Sequence, residues 1–388
     1  MNKLDFLWII FFLTFFSCAK DPNLQQVPKN NRMLKSIVDE SSYVNGIISG
    51  PFTLWADNDQ IISLDYNGDG IKDILLFRPG LGRVCLNRSL KDGSFTNVFF
   101  LKDGLDGFSF ANYYGNSTIS DDQAITIDFD GDGKDDLMCY SPGSRKVVLE
   151  RSNGDGTFTA TYTSNNGMGG YDFTYRCDRA IALDFNGDKK MDLMFFRPGN
   201  KAVYLLQGNG DGTFEAILKS SNGLAGFNFD QVQDLAIALD YDGDGKDDVM
   251  CYRTGSKPTV YIQKSNGDGT FTNIYKNGNG IGGYNFDQIQ DKAIALDYNG
   301  DGKDDIMCYR PRGSACYLLK SNGDGTFTTV YHNEGIAGFD LHDLRDRIIS
   351  LDYNNDGYSD IIMYRSGMGY AFSAKSLGDG TYSLDCRQ

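Results

Sequence analysis

Ile294-Ala-Leu-Asp-Tyr-Asn-Gly-Asp-Gly-Lys-Asp-Asp-Ile-Met-Cys-Tyr-Arg310 decides the architecture. An apolar run ends at Asp297, an acidic turn follows, and a second apolar run begins at Ile306. Relatives of this segment have their first aspartates at Asp65, Asp128, Asp184, Asp240 and Asp352. The six copies lie about 56 residues apart, the signature of a stacked structural repeat. A second recurring piece follows each loop, as in Ser152–Phe158, Gly208–Phe214, Ser265–Phe271 and Ser321–Phe327, with weaker forms at Lys91–Phe95 and Leu377–Tyr382. A third is rich in glycine and ends in an aromatic: Gly167–Tyr171, Gly223–Phe227, Gly280–Tyr284, Gly335–Phe339.

Within one unit, Ala293–Leu296, Ile306–Tyr309, Ala315–Leu319 and Thr326–Tyr331 read as four short strands. The Asn-Gly-Asp-Gly between the last two is a hairpin signal. Four strands per repeat with no helical periodicity predict an all-β, six-bladed β-propeller of four-stranded blades. The stretch Tyr43–Phe52 matches Tyr331–Phe339, which precedes the sixth loop. It is therefore expected to pair with the C-terminal blade, joining the chain ends and removing a free sheet edge. A seventh blade would need another whole repeat, which residues 19–42 cannot supply. A monomer is expected.

Each loop reads Asp-aromatic-[Asp/Asn]-Gly-Asp-Gly-x-x-Asp, with small exceptions. The candidate metal ligands are Asp65, Asn67, Asp69 and Asp73; Asp128, Asp130, Asp132 and Asp136; Asp184, Asn186, Asp188 and Asp192; Asp240, Asp242, Asp244 and Asp248; Asp297, Asn299, Asp301 and Asp305; Asp352, Asn354, Asp356 and Asp360. Calcium prefers six to eight oxygens, and positions 1, 3, 5 and 9 with a carbonyl at 7 can supply them. Turn formation alone would also favour Asp, Asn and Gly. It does not account for several carboxylates converging on one spot, which repel one another without a cation between them. About one calcium per blade is expected. In the third loop Lys189 stands where Gly is usual, and a left-handed backbone there costs roughly 1 kcal/mol. In the sixth, Asn355 replaces the fourth-position Gly.

Residues 43–388 resemble the FG-GAP/VCBS repeats, the type found in integrin α-subunit propellers and many bacterial surface proteins. The acidic loop carries the resemblance. The literal Phe-Gly and Gly-Ala-Pro signatures are not present. The resemblance implies calcium at the blade edges, structural and not itself catalytic.

Residues 1–18 read as an export signal: Lys3, the apolar run Phe6–Phe16, then Ser17-Cys18. The run is short for a membrane span. The junction resembles a bacterial lipobox, which implies cleavage before Cys18 and lipid attachment to it. Residues 19–42 read as a polar tether. A cell-envelope location at the outer membrane or cell surface follows, with membrane contact through the lipid alone. The net charge of −15 argues against a nucleic-acid partner.

Cys139, Cys251 and Cys308 share one repeat position with Leu76, Phe195 and Met363, so a buried strand site is expected. Cys316 likewise matches valines. Cys85, Cys177 and Cys386 remain, and their pairing is left open by the sequence. Arg78, Arg197, Arg253, Arg310 and Arg365 recur after the second strand, with Ser141 in the remaining repeat, and Asp178, Asp234, Asp291 and Asp346 recur before the first. These arginines either brace neighbouring blades through Arg–Asp pairs or form a ring that binds acidic sugars or carboxylates. Phe108, Tyr171, Phe227, Tyr284 and Phe339 either wedge between blades or stack on sugars. The expected function is a calcium-stiffened binding module that presents a propeller face to glycan or protein. The alternatives are a polysaccharide lyase or hydrolase built on the propeller, and a structural scaffold in an envelope complex. Only His332 and His342 hint at an enzyme, because both break the repeat symmetry.

Overall fold

The computed structural model describes residues 47–48, 50–111 and 122–385. Cys18, the tether and Cys386 lie outside these. Among the described residues there are strands and turns and no helix. Blade 1 is β1 (Gln60–Leu64), β2 (Asp73–Arg78), β3 (Arg83–Ser89) and β4 (Phe95–Leu101). Blade 2 is β5 (Gln123–Ile127), β6 (Asp136–Ser141), β7 (Lys146–Ser152) and β8 (Phe158–Ser164). Blade 3 is β9 (Arg179–Leu183), β10 (Asp192–Arg197), β11 (Ala202–Gly208) and β12 (Phe214–Ser220). Blade 4 is β13 (Asp234–Leu239), β14 (Asp248–Arg253), β15 (Thr259–Ser265) and β16 (Phe271–Asn277). Blade 5 is β17 (Lys292–Leu296), β18 (Asp305–Tyr309), β19 (Ala315–Ser321) and β20 (Phe327–Glu334). Blade 6 is β21 (Asp346–Leu351), β22 (Asp360–Arg365), β23 (Tyr370–Ser376) and β24 (Tyr382–Leu384).

Each blade is an antiparallel sheet in chain order. The innermost strands meet in a closed ring: β1 beside β5, then β9, β13, β17 and β21, which returns to β1. The architecture is the expected six-bladed propeller. Second strands are packed on both faces, so Ile74–Phe77 and Ile361–Tyr364 read as unbroken apolar runs. Outer strands alternate instead, as in β8.

Between blades sit the glycine-aromatic loops. Met168–Tyr171, Leu224–Phe227, Ile281–Tyr284 and Ile336–Phe339 each close on themselves by a bridge. Their aromatics are buried, and so is a residue two positions on: Phe110, Phe173, Phe229, Phe286 or Leu341. The two rings meet edge-on, for example Tyr171 and Phe173 at 4.9 Å. The loops therefore act as wedges.

Ring closure differs in detail from the expectation. The last blade uses its own Tyr382–Leu384 as outer strand. The described part of the N-terminal stretch does not pair with it as a strand. Ile48 instead bridges Phe95 of the first blade, and the Phe95 N–H donates to Ile47 O at 2.9 Å. Ile47, Ile48, Phe52 and Leu54 enter the core shared by blades 6 and 1, beside Leu351, Tyr353 and Ile362. The Gly369 N–H donates to Leu54 O at 2.9 Å. Phe52 thus plays the wedge aromatic of the first blade. The match of Tyr43–Phe52 to Tyr331–Phe339 reflects this wedge more than a strand.

Candidate functional site: the acidic loops and the blade seams

The six loops join the first strand of each blade to its second, so all lie on one face of the ring. In each, the first aspartate folds the turn around itself. Gly68 N–H donates to Asp65 Oδ1 and Gly70 N–H to Asp65 Oδ2, both at 2.8 Å. The same pair is made to Asp128, Asp184, Asp240, Asp297 and Asp352. Sixth-position backbones are left-handed. Lys189 keeps this geometry at φ 64° and still donates its N–H to Asp184 Oδ2 at 2.7 Å.

The ninth-position aspartates are buried. One oxygen of each accepts a backbone N–H from the end of the third strand: Ser89 to Asp73 at 2.8 Å, Ser152 to Asp136 at 2.7 Å, Gly208 to Asp192 at 2.8 Å. Ser265, Ser321 and Ser376 do the same for Asp248, Asp305 and Asp360. The second oxygen of Asp360 accepts from Asn354 Nδ2 at 2.8 Å, but in two of the six it is unserved. Asp73 Oδ2 and Asp248 Oδ2 are buried with no hydrogen-bond partner. Burial, with the neighbouring loop carboxylates behind it, pushes Asp73 up to about 7 and Asp248 up to about 8. A buried carboxylate with an unused oxygen is costly unless a cation or proton meets it. Oxygens of Asp128, Asp130 and Asp136 come within 4.8 Å of one another, as do those of Asp240, Asp242 and Asp244. The donor set is all oxygen, which suits a hard divalent ion.

Third-strand cations reach these loops, a feature the sequence reading missed. Arg151 Nε lies 2.9 Å from Asp130, Lys264 Nζ 3.0 Å from Asp244, Lys320 Nζ 3.1 Å from Asp301 and Lys375 Nζ 2.8 Å from Asp356. Blade 3 has Gln207 at this position. The signal was a basic residue one before the third-strand serine. These amines neutralise part of the loop charge and compete with a divalent ion for it.

The same loops staple adjacent blades. The third-strand serine that serves the ninth aspartate donates its hydroxyl to the preceding blade's loop. Ser152 Oγ reaches Tyr66 O and Ser265 Oγ reaches Phe185 O, both at 2.6 Å. Ser321 reaches Tyr241 O, Ser376 reaches Tyr298 O and Ser89 reaches Tyr353 O. Eighth-position aspartates add a clasp. Asp247 Oδ2 accepts the Asp184 N–H at 2.6 Å, and the Asp247 N–H donates to Asp184 O at 2.7 Å. Asp135 clasps Asp65 and Asp304 clasps Asp240 in the same way.

On the opposite face, the recurrent arginines are engaged internally. Arg78 Nε and Nη2 grip Asp59 at 2.5 and 2.7 Å. Arg197 grips Asp178, Arg253 Asp234, Arg310 Asp291 and Arg365 Asp346 with the same two-point geometry. Each pair brackets the first and second strands of one blade, so the brace acts within a blade and not between neighbours. Each guanidinium also lies over a wedge aromatic, as Arg197 over Tyr171 at 5.0 Å. Blade 2 replaces the pair with Ser141 and Asp122, joined by a short hydrogen bond, and Lys146 takes the place over Phe108.

Cys139, Cys251, Cys308 and Cys316 are buried free thiols, as is Cys85. Cys177 is disulfide-bonded. His332 stacks on Tyr317 with ring centres 4.3 Å apart, and His342 Nδ1 lies 3.3 Å from Asp340 on the surface. The structure does not bring the two into one cluster with a shared partner.

Residues 297–363 match the FG-GAP-like repeat family. They run from the fifth acidic loop through most of β22, and the same loop recurs in the other blades. The FG-GAP resemblance therefore holds for this repeat. No curated protein matches the chain. Among solved structures, the propeller is similar to an Agrocybe aegerita lectin, described by its specific recognition of non-reducing terminal N-acetylglucosamine. That pair shares 22% identity with a TM-score of 0.56, over 86% of this chain and 80% of the lectin. It is also similar to a chain of the Photorhabdus luminescens Tc holotoxin pore, at 16% identity and TM-score 0.53, over 84% of this chain and 14% of that one. A mutant of AofleA from Arthrobotrys oligospora gives 11% identity and TM-score 0.50, over 86% and 88%. At these identities the likeness is one of fold.

Proposed function

We propose that the protein is a calcium-stiffened binding module of the bacterial cell envelope, held there by lipid on Cys18, which presents a propeller face to glycan ligands. The observation that carries the calcium half is the buried ninth-position carboxylate with an unused oxygen in Asp73 and Asp248. Positions 1, 3, 5 and 9 would hold the ion, which supplies charge neutralisation and rigidity. Because the ninth aspartate orients the serine that staples the preceding blade, an ion there stiffens the seam as well as the loop. Glycan as ligand class is supported by the lectin of similar fold and by six repeats of one blade architecture, which favour several similar weak sites over one catalytic centre.

A glycan array probed with the full chain, with and without EDTA, tests the reading. Binding to terminal sugars that EDTA abolishes is the expected result. Turnover of any bound glycan, seen as new reducing ends, would move the protein to the enzymes. Replacing Cys18 with Ser should release it from membranes, and continued retention would remove the anchor.

A further inference from the structure

Each inner strand places one residue at the mouth of the axial passage, on the face opposite the acidic loops. It directly follows the buried aspartate of the Arg–Asp brace. In three blades it is a cation: Arg179, Lys292 and Arg347. All three are half-buried. In the inner ring β17 lies beside β21 and, across β13, near β9, so these equivalent positions gather the three cations at one end of the ring, and Lys292 feels the charges of both Arg347 and Arg179. Burial first, and then these two guanidinium groups, hold the Lys292 amine down to about 7.

Among the described residues no carboxylate pairs with them. The preceding aspartates Asp178, Asp291 and Asp346 are gripped by Arg197, Arg310 and Arg365. Arg179 Nη1 donates to Asp178 O at 3.2 Å, and Arg347 Nη1 to Leu344 O and Asp346 O at 2.8 Å, all main-chain carbonyls. Among the described residues none of the three enters a side-chain ion pair. Behind them half-buried isoleucines, among them Ile62, Ile181, Ile294 and Ile349, recur at one inner-strand position and give the mouth an apolar floor. In a chain of net charge −15, three crowded cations without a paired carboxylate among the described residues are a local cost that an anion would relieve.

We propose that this mouth is a binding site for an oxyanion, a carboxylate or sulfate, which Arg179, Lys292 and Arg347 take from three sides. Arginine supplies planar paired donors and lysine a point charge. The site stands apart from the acidic loops and does not depend on the glycan reading.

Isothermal titration of the full chain with sodium sulfate, sodium glucuronate and glucose tests it. Sulfate and glucuronate should bind saturably and glucose should not. Lys292→Gln and Arg347→Gln should each weaken binding at least tenfold, while the melting temperature without ligand stays the same or rises, since a repelling charge is gone. Tighter sulfate binding identifies a free inorganic ion as the natural ligand, and tighter glucuronate binding a sugar acid. Arg179→Gln serves as the third arm should either variant fold poorly. No saturable binding of either anion, or equal binding by the variants, overturns the proposal. Neutral glycans on the array are untouched by that outcome, so the two readings fail separately.

Discussion

The seam between blades 3 and 4 and the seam between blades 2 and 3 solve one packing problem by different chemistry. At the first, the Asp247 clasp on Asp184, the Ser265 hydroxyl on Phe185 O and Gln263 Nε2 on Leu224 O at 2.7 Å form a polar ladder from the loops to the wedge. At the second, the equivalent positions are Met191, Gly208 and Leu206. Leu206 packs with Met168, Tyr171, Phe173 and Phe195, and the Ala180 N–H donates to Tyr140 OH at 3.2 Å. A side chain cannot be restored at Gly208, because a Cβ there would lie 2.3 Å from Met191 O. Apolar wedging with few cross-blade hydrogen bonds holds the one seam, and polar staples add to it at the other.

Removing divalent ions should break this comparison most visibly. A site at hundredfold excess over its Kd contributes about 2.7 kcal/mol. Loss of several should lower Tm by about 10 °C or more, at a few degrees per kcal/mol. Hydrogen exchange after EDTA should rise most at the 3/4 seam and least at 2/3. An unchanged melting curve would remove calcium from the account.

The next largest effect concerns Glu150, the counterpart of Gln263 at the 1/2 seam. It is buried with neither oxygen bonded, and burial, then Asp106, pushes it up to about 8. Its folded pKa stands above the unfolded value, so the folded protein holds the extra proton. That contribution to stability is present in full below about 4.5 and is lost as pH climbs to about 8. Glu150→Gln should make the seam resemble 3/4, gain about 1–3 kcal/mol at pH 8 and flatten the dependence. Urea melts at pH 5 and pH 8 read both, and an equal penalty at the two values would count against it.

Ser265→Ala should cost about 1 kcal/mol by denaturant melting, because it strands Phe185 O. A cost near zero would mean that the staple is ornamental and that the two seams are equivalent. The smallest change is Lys189→Gly, which relaxes the left-handed backbone of the third loop. It should gain at most about 1 kcal/mol, less the entropy that glycine adds to the unfolded chain.

Six aspartate-rich loops at one spacing made the blade count legible, because a ligand-like pattern cannot drift without losing its geometry. The wedge aromatics and buried cysteines were legible for a similar reason: each exchanges with large apolar groups at one repeat position. Aligning repeats by what they share conceals what they do not. Glu150, Gln207 and Gly208 are departures, and so are Arg179, Lys292 and Arg347, and their meaning appears only when blades are set side by side in a ring. The second wedge residue was missed because a left-handed Phe has no propensity signal, although Phe-x-Phe at Phe108–Phe110 and Phe227–Phe229 was in view. The closure was misjudged because Ile47–Phe52 resembles both a strand end and a wedge, and only register against Phe95 separates them.

The blades are contiguous in the chain, but the last seam joins Leu54 to Gly369. During synthesis each sheet can form soon after it leaves the ribosome, while Ile47, Ile48, Phe52 and Leu54 wait for a partner made last. At ordinary elongation rates that wait is roughly 15–60 s. For that interval the nascent protein is an open arc with two sticky ends, which calls for a chaperone or a translocation channel to keep neighbouring copies apart.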